Sequence, residues 1–335
     1  TPQVGAYDFQ LLELGGDLII NTVGDTKTSI LSETNLMHLY GLSEYHINTS
    51  GDIELAEVVG DLRIIEVRTT SGNVILRVDD DIEMLDTDII EASGTVTIQG
   101  DYASGSAVPD VDQGSTITFR GTINAQSAFF FTMSDFDTFN MHRLTAGTPF
   151  TVALGSGEDT FIMSLPPDDL NRFVQNPGDM LEVYAENDND LIIIHDTDGQ
   201  TFFDGGWGED TVIVNMTGGT TTVTGGVSSD TITINNSGGT ATFGGGEGDD
   251  FLIVNNTGGT VTVNGNEGID NITINGAGGK TIINGGANLD YILLIGEVGT
   301  TEINGDNPTD NVDNLLADEF TGNGTTTIFT PALIP

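Results

Sequence analysis

The sequence lacks cysteine and is poor in basic residues. It contains no cysteine, and eight Lys and Arg residues stand against 51 Asp and Glu, which gives a formal net charge of −43. Without cysteine there can be no disulfide framework, no thiol nucleophile and no Cys-ligated zinc site. Because nucleic-acid phosphates and anionic lipids are bound by positively charged surfaces, the charge disfavours both as partners.

Long hydrophobic runs are also missing. No stretch of about 18 apolar residues occurs, so we predict no transmembrane span. The sequence begins at Thr1 rather than at Met, and we interpret it as a mature or excised piece. What the chain has in quantity is glycine, with 45 residues, and 37% hydrophobic residues, so a core is possible if it is distributed along the chain.

The second half of the sequence is a repeat of 20 residues. Aspartate recurs at this interval, as Asp190, Asp210, Asp230, Asp250, Asp270, Asp290 and Asp310. Two glycine series follow the same interval, one from Gly199 to Gly299 and the other from Gly205 to Gly305. A fixed interval over this many units indicates a repeat architecture in which each unit packs on the next.

Each repeat contains two short stretches in which apolar residues alternate with polar ones. Val212 and Val214 represent the first stretch and Val223 the second, and apolar residues recur at equivalent positions of the later repeats. Alternation is typical of strands that bury one face, and the glycines between the stretches are typical of turns. We therefore predict an all-β, right-handed parallel β-helix (β-solenoid) with about 14 rungs, each rung being one coil of the chain.

The first half shows the same pattern with less regularity. A short pattern recurs there, as at Gly51, Gly72 and Gly94. It consists of a glycine, then a small or polar residue, then alternating apolar residues. The phenylalanines between Phe129 and Phe150 are expected to form a stacked core section. We predict an irregular solenoid with insertions over residues 1–150, a regular 20-residue solenoid over 151–313, and a cap or continuation over 314–335.

The turns before the repeated aspartates carry the most specific motif. Residues 205–213 (GGWGEDTVI) and 245–253 (GGEGDDFLI) fit G-G-x-G-x-D-x-U-x, and the other repeats fit it in part. These turns resemble the RTX (hemolysin-type) calcium-binding repeats of secreted bacterial proteins, over about residues 155–310. The repeat differs from that family in having one such turn per coil rather than two. The first half resembles, more loosely, the β-helical regions of bacterial surface and adhesin proteins.

The resemblance implies Ca²⁺ as the cofactor. Stacked turns offer backbone carbonyls and one carboxylate per coil, which are the hard oxygen ligands that Ca²⁺ prefers. Cations would also relieve the repulsion within a column of aspartates. The candidate metal residues are Asp190, Gly206, Gly208, Asp210, Asp230, Gly246, Gly248, Asp250, Asp270 and Asp290. The alternative is that these aspartates only accept hydrogen bonds from turn N–H groups or lie in water.

Two further columns allow several interpretations. Pairs of threonines at 220/222, 240/242 and 260/262 resemble an ice-binding face, although threonine is also a common outward-facing strand residue. Asn215, Asn235, Asn255 and Asn275 are expected to form an internal ladder of side-chain amides. N-x-S/T acceptor sequences occur at Asn48, Asn215, Asn235, Asn255, Asn271 and Asn323, and glycans on successive coils would crowd each other.

Enzymatic activity is the main alternative to a structural role, because many β-helices are polysaccharide lyases, epimerases or hydrolases. The only mixed acid/base cluster near an insertion comprises Arg120, His142, Arg143, Asp135 and Asp137, and His195 lies beside two aspartates. We name no catalytic residues. We expect instead a secreted or cell-surface structural or adhesive module, with end-to-end stacking into filaments and extracellular polysaccharide as candidate partners.

Overall fold

A computed structural model describes most of the chain. The described residues are 18–21, 26–30, 45–49, 51–57, 62–78, 81–101, 114–133, 135–142, 147–163, 180–197, 199–216, 218–236, 238–256, 258–276, 278–295, 299–304, 314–317 and 327–328. They form two compact units, residues 1–168 and 169–335. Residues 101–113 and 166–177, which lie in longer intervals of the glycine series and are predicted to be insertions, lie largely or wholly outside the described residues, as does the acceptor Asn323.

The described residues of unit 1 form fifteen strands. They are β1 (Leu18–Asn21), β2 (Thr26–Ile30), β3 (Tyr45–Thr49), β4 (Ile53–Glu57), β5 (Leu62–Thr69), β6 (Val74–Val78), β7 (Ile82–Met84), β8 (Ile89–Glu91), β9 (Thr95–Gln99), β10 (Thr116–Phe119), β11 (Thr122–Asn124), β12 (Ser127–Phe131), β13 (Thr138–Met141), β14 (Phe150–Ala153) and β15 (Thr160–Met163). The first sheet runs in the order β1-β3-β5-β7-β10-β13-β15, with β8 beside β5 and β11 beside β8. The second sheet runs β2-β4-β6-β9-β12-β14.

Unit 2 repeats this arrangement more regularly. Its strands are β16 (Met180–Tyr184), β17 (Leu191–Thr197), β18 (Gln200–Trp207), β19 (Thr211–Met216), β20 (Thr220–Val227), β21 (Thr231–Asn236), β22 (Thr240–Glu247), β23 (Phe251–Asn256), β24 (Thr260–Glu267), β25 (Asn271–Gly276), β26 (Lys280–Ala287), β27 (Tyr291–Ile295), β28 (Thr300–Asn304), β29 (Asn314–Ala317) and β30 (Thr327–Ile328). Odd-numbered strands from β17 to β29 form one sheet, and even-numbered strands from β16 to β30 form the other.

Every strand pairing within the units is parallel. From β16 to β28 the paired residues are 20 positions apart, as Thr211 is from Thr231 and Thr220 from Thr240, apart from a register shift after His195. The offset grows to 23 residues between β27 and β29 and to 25 between β28 and β30. The chain therefore places one strand in each sheet per coil and stacks successive coils directly on each other. This is the β-solenoid that the repeat predicts, and the described residues contain no helix.

The core lies between the two sheets of each unit, as the alternation predicts. In unit 2 the columns that begin at Val212, Val214 and Val223 are almost completely buried through to Ile292, Leu294 and Ile283. Burying an aliphatic side chain of this size contributes about 1.5–3 kcal/mol. Because every coil adds the same inward residues, stabilisation accumulates along the stack.

The aromatic core section that the sequence predicts lies in unit 1. Phe130 stacks on Phe150 with ring centroids 5.9 Å apart, and it meets Phe139 edge-on at 5.0 Å. Phe119 and Phe161 extend this buried group. Phe129 and Phe136 do not belong to it, because their side chains are exposed on the outside of the coils.

The irregular glycine series of unit 1 also has a structural reason. The residue after each glycine bridges neighbouring coils: Asp52 Oδ1 accepts the backbone N–H of Asn73 at 2.7 Å, and Asn73 Oδ1 accepts that of Thr95 at 2.9 Å. A Cβ on Gly72 would lie 2.5 Å from the backbone of Gly51, so the coils approach too closely for a side chain.

Among the described residues, no helix has the length and hydropathy needed to span a membrane.

Candidate functional site

The turn before each repeated aspartate has the same backbone conformation in every coil of unit 2. The residues four and two positions before the aspartate both have positive φ. They are Glu186 and Asp188, Gly206 and Gly208, Gly226 and Ser228, Gly246 and Gly248, Asn266 and Gly268, and Gly286 and Asn288. Glycine adopts this conformation without strain, which is the physical basis of the G-G-x-G-x-D motif.

Glycine is required at two of these positions for a second reason. A Cβ on Gly206 would lie 2.2 Å from the carbonyl oxygen of Glu186 in the preceding coil, and one on Gly208 would lie 1.8 Å from that of Asp188. The carbonyl of one turn therefore packs directly against the glycine of the next turn. The requirement is not absolute, because other residues take these places in four turns and keep the positive φ; they are Glu186, Asp188, Ser228, Asn266 and Asn288.

The aspartate side chains point into the solenoid and link one coil to the next. In each link, Oδ1 of an aspartate accepts the backbone N–H of the aspartate one coil earlier. The links join Asp190 to Asp210, Asp210 to Asp230, Asp230 to Asp250, Asp250 to Asp270 and Asp270 to Asp290, at 2.8–2.9 Å. We call this series the aspartate column. It satisfies a buried backbone donor in each turn that would otherwise lack an acceptor.

The second carboxylate oxygen is in a different position. In Asp210, Asp230, Asp250 and Asp270, Oδ2 is buried and makes no hydrogen bond. It lies against the α-carbon of the glycine five positions earlier: a Cβ on Gly245 would be only 2.1 Å from Oδ2 of Asp250. A buried carboxylate oxygen without a donor is costly, so this position is chemically unsatisfied by the protein alone.

This environment raises the pKa of the column. Burial is the main cause, and it raises the pKa of Asp210, Asp250 and Asp270 to about 6 and that of Asp230 to about 7. The hydrogen bond from the backbone N–H opposes this effect, whereas neighbouring acidic residues add to it. Near neutral pH, Asp230 is therefore divided between its protonated and charged forms, while Asp210, Asp250 and Asp270 are mostly charged and become protonated as the pH falls through about 6.

A cation would satisfy the same oxygens. Among the described residues, no group of three or more His, Asp or Glu side chains lies close enough to hold a metal by itself. The column offers one carboxylate oxygen per coil, and backbone carbonyls lie beside it: Gly225 O is 2.2 Å from the position of a Cβ on Gly205. These hard oxygens suit Ca²⁺, with most ligands supplied by the backbone.

The structure brings all the candidate metal residues to one edge of unit 2. Asp190, Asp210, Asp230, Asp250, Asp270 and Asp290 are buried and aligned, while Gly206, Gly208, Gly246 and Gly248 form the turns beside them. Unit 1 contains a similar series of its own, at Asp137 and Asp159, of which only Asp159 lies within the turn motif over about residues 155–310. Asp137 Oδ1 accepts the N–H of Ser115, and Asp159 Oδ1 accepts the N–H of Asp137. Their interval of 22 residues is the sequence feature that relates them, and a search for a period of 20 residues does not detect it.

The asparagine column forms the expected amide ladder. Nδ2 of Asn235, Asn255 and Asn275 donates to Oδ1 of the asparagine one coil earlier, at 2.6–3.0 Å. Asn215 Nδ2 meets Nδ1 of His195 at 2.8 Å, so His195 ends the ladder. The ladder is half-buried at outward-facing strand positions rather than inside the core.

Threonines form an outward row on the second sheet of unit 2. Thr220, Thr240 and Thr260 are aligned on adjacent strands, and Lys280 takes the next place. Lys280 Nζ lies 3.7 Å from a carboxylate oxygen of Glu302. The uncharged threonine row is therefore three coils long, as the sequence indicates.

The mixed acid/base cluster of unit 1 does not converge on one point. Arg120 and His142 follow paired strands, and the N–H of His142 donates to Phe119 O. Asp135 and Asp137 precede β13, at the opposite end of that strand, and Asp137 belongs to the aspartate series. Arg143 lies outside the described residues.

Comparisons with protein-family models, curated proteins and solved structures find no match for this chain. The structure shows a β-helical repeat protein, and the relation to RTX repeats rests on the turn motif alone.

Proposed function

We propose that this chain is an extracellular structural or adhesive module whose solenoid is stabilised by Ca²⁺ along the aspartate column. The observation that carries the proposal is the repetition of one unsatisfied carboxylate oxygen at the same place in successive coils. Its chemistry does not converge on a single reaction centre. It repeats along the stack, which suits a scaffold whose length and rigidity are the functional property.

Calcium would act here on folding rather than on a substrate. The residues that would hold it are the column aspartates with the backbone carbonyls of the adjoining turns, including those of Gly206 and Gly208. A bound cation supplies positive charge to buried carboxylates, and its binding free energy then adds to the stability of the folded coils. Extracellular modules typically bind Ca²⁺ at 10⁻⁴–10⁻³ M, a range that matches a secreted or cell-surface location.

The test is a thermal melt followed by circular dichroism in EDTA and then with Ca²⁺ restored, with Mg²⁺ as the control cation. We expect a reversible loss of β-sheet signal at lower temperature in EDTA, and recovery with Ca²⁺ but not with Mg²⁺. Mg²⁺ requires near-octahedral geometry and gives up its water reluctantly, so carbonyl-rich turns should discriminate against it. Identical melts under all three conditions would remove the metal from the proposal and leave the aspartates as turn formers.

End-to-end assembly is part of the same proposal. Stacked coils present strand edges at their ends, and such edges pair with another chain unless they are covered. β29 and β30 continue the two sheets of unit 2 as strands, which supports continuation rather than a helical cap. Electron microscopy of concentrated protein with Ca²⁺ should show particles of increasing length, and uniform single particles would contradict this part.

A further inference from the structure

One face of unit 2 carries no charge, although the chain has a net charge of −43. The face consists of the first, third and fifth residues of β17, β19, β21, β23, β25 and β27. These positions are half-buried or exposed while the residues between them are buried, so they point outward. None of them is Asp, Glu, Lys or Arg. We call this surface the neutral face.

Apolar side chains occupy most of the middle of the neutral face. Its central column contains Ile193, Ile213, Ile253 and Leu293, and Thr233 and Thr273 take its other two places. The aromatic rings of Phe251 and Tyr291 project from the column beside it and are 53% and 41% exposed. Grouped apolar residues with exposed rings on an outward sheet face indicate contact with a partner.

We infer that the neutral face is the interface through which two copies of this chain pair, sheet against sheet. Charge selects this occupant. Two molecules that each carry −43 repel across any surface lined with carboxylates, and the neutral face is a surface on which they can approach without placing like charges together. The second sheet of unit 2 offers no equivalent face, because Glu182, Asp204 and Glu302 occupy outward positions there.

The shape of the neutral face suits self-association. Phe251 and Tyr291 stand two coils apart, and the smaller Asn271 lies between them in the same column. The two rings leave one gap between them, at Asn271, so a ring of one copy can enter the gap of the other. A two-fold arrangement of this kind is isologous and closed, and it gives a dimer rather than an open chain.

The area of the neutral face indicates how strongly two copies should associate. Six strands at about 4.8 Å spacing and five residues at about 3.3 Å each give a face of about 29 by 17 Å. Pairing two such faces covers roughly 1,000 Å² in total, which is near the lower limit for a specific interface. We therefore expect a dimer with a dissociation constant in the micromolar range, opposed by long-range repulsion and strengthened by salt that screens it.

The experiment is sedimentation velocity on the full chain in about 1 mM Ca²⁺, at low and at about 0.5 M NaCl. Wild type should shift from monomer toward dimer as salt rises, and Ile253→Glu should weaken the dimer at least about tenfold because it buries a charge in each half of the interface. Thr242→Glu, which adds the same charge at an exposed position of the opposite sheet, should leave association unchanged. If Ile253→Glu does not fold, Thr233→Glu tests the same column.

Three results would overturn the inference: a monomer at every salt concentration, equal weakening by Thr242→Glu, or a dimer that Ile253→Glu leaves intact. End-to-end growth is distinguished from this dimer because it uses the strand edges and should respond equally to the two variants. A monomer that binds a neutral oligosaccharide, with the binding lost in Tyr291→Ala, would assign the face to a glycan instead. The inference goes beyond the proposed function, because the chelation melt reports on folding and sedimentation reports on this face.

Discussion

Replacing Asp230 by asparagine separates the two functions of a column carboxylate. In the structure Oδ1 accepts the N–H of Asp210 at 2.8 Å, while Oδ2 is buried beside Gly225 without a hydrogen bond. Asparagine has nearly the same shape and keeps the acceptor at Oδ1. It removes the charge at Oδ2, so any change in stability reports on that charge.

The magnitude follows from the pKa. Burial, assisted by Asp210, Asp250 and Glu209, raises the pKa of Asp230 from 3.8 to about 7. A carboxyl group with a raised pKa stabilises the folded state fully below its unfolded pKa of 3.8, and this stabilisation is lost as the pH rises through about 7. The full shift corresponds to about 4 kcal/mol, and solvent screening at the turn reduces our expectation to about 2 kcal/mol.

In EDTA at pH 7.5, Asp230→Asn should therefore raise the free energy of unfolding by about 2 kcal/mol, and near pH 4 the difference from wild type should disappear. With saturating Ca²⁺ the gain at pH 7.5 should vanish or reverse, because the variant lacks a ligand. Urea titrations followed by circular dichroism measure all three values. Glu247→Gln, which removes an exposed charge from the outside of a neighbouring turn, should change the stability by less than about 0.5 kcal/mol.

The reasoning would be refuted if, in EDTA, Asp230→Asn were less stable than wild type at pH 7.5 and by the same amount at pH 4. It would mean that Oδ2 is not a desolvated charge and that the column contributes only through its hydrogen bonds.

Three further outcomes are expected. Gly245→Ala should lower the free energy of unfolding by about 3 kcal/mol in the same urea titration, because its Cβ would lie 2.1 Å from Oδ2 of Asp250. Gly244→Ala is the control: its Cβ would contact only the end of the Asn266 side chain, so it should lower the free energy of unfolding by less than half as much. Wild type in EDTA should melt at a higher temperature at pH 5 than at pH 7.5, because carboxyl groups with raised pKa values favour the folded state when they are protonated. A higher melting temperature at pH 7.5 would contradict the raised pKa values of the column. Ser228→Gly should raise the melting temperature by relieving a φ of +100°, and the adjacent Ser229→Gly should not.

The fold could be predicted from the sequence because two periods coincide. Alternation of apolar residues identified strands, and the 20-residue interval fixed which residues pair, as the register of Thr211 with Thr231 confirms. The aspartate column was visible for the same reason. In unit 1, Asp159 ends a weaker instance of the same motif at residues 155–159. Asp137 was not recognised, because it lies 22 residues before Asp159 and has no such motif before it.

The direction of the carboxylates was not predictable from the motif. A turn aspartate can face solvent, a cation or the backbone, and the sequence is the same in each case. What decides the matter is the position of Gly205, Gly225, Gly245 and Gly265, whose missing side chains leave the space that Oδ2 occupies. The neutral face was also overlooked, because outward isoleucines in a strand look like ordinary β-formers until the strands are stacked.

The structure also changes how the motif should be used to rank the coils. By sequence, Asp210 and Asp250 have intact turns, while the turn before Asp230 has Ser228 in place of a glycine. Ser228 nevertheless has positive φ, and Asp230 makes the same links to its neighbours as the other two. Each turn packs against carbonyls of the adjacent turns, so intact coils impose their conformation on a substituted one, at a cost of about 1–3 kcal/mol of strain. Metal binding, where it occurs, should therefore depend on the uninterrupted length of the column rather than on the number of glycines in any one turn.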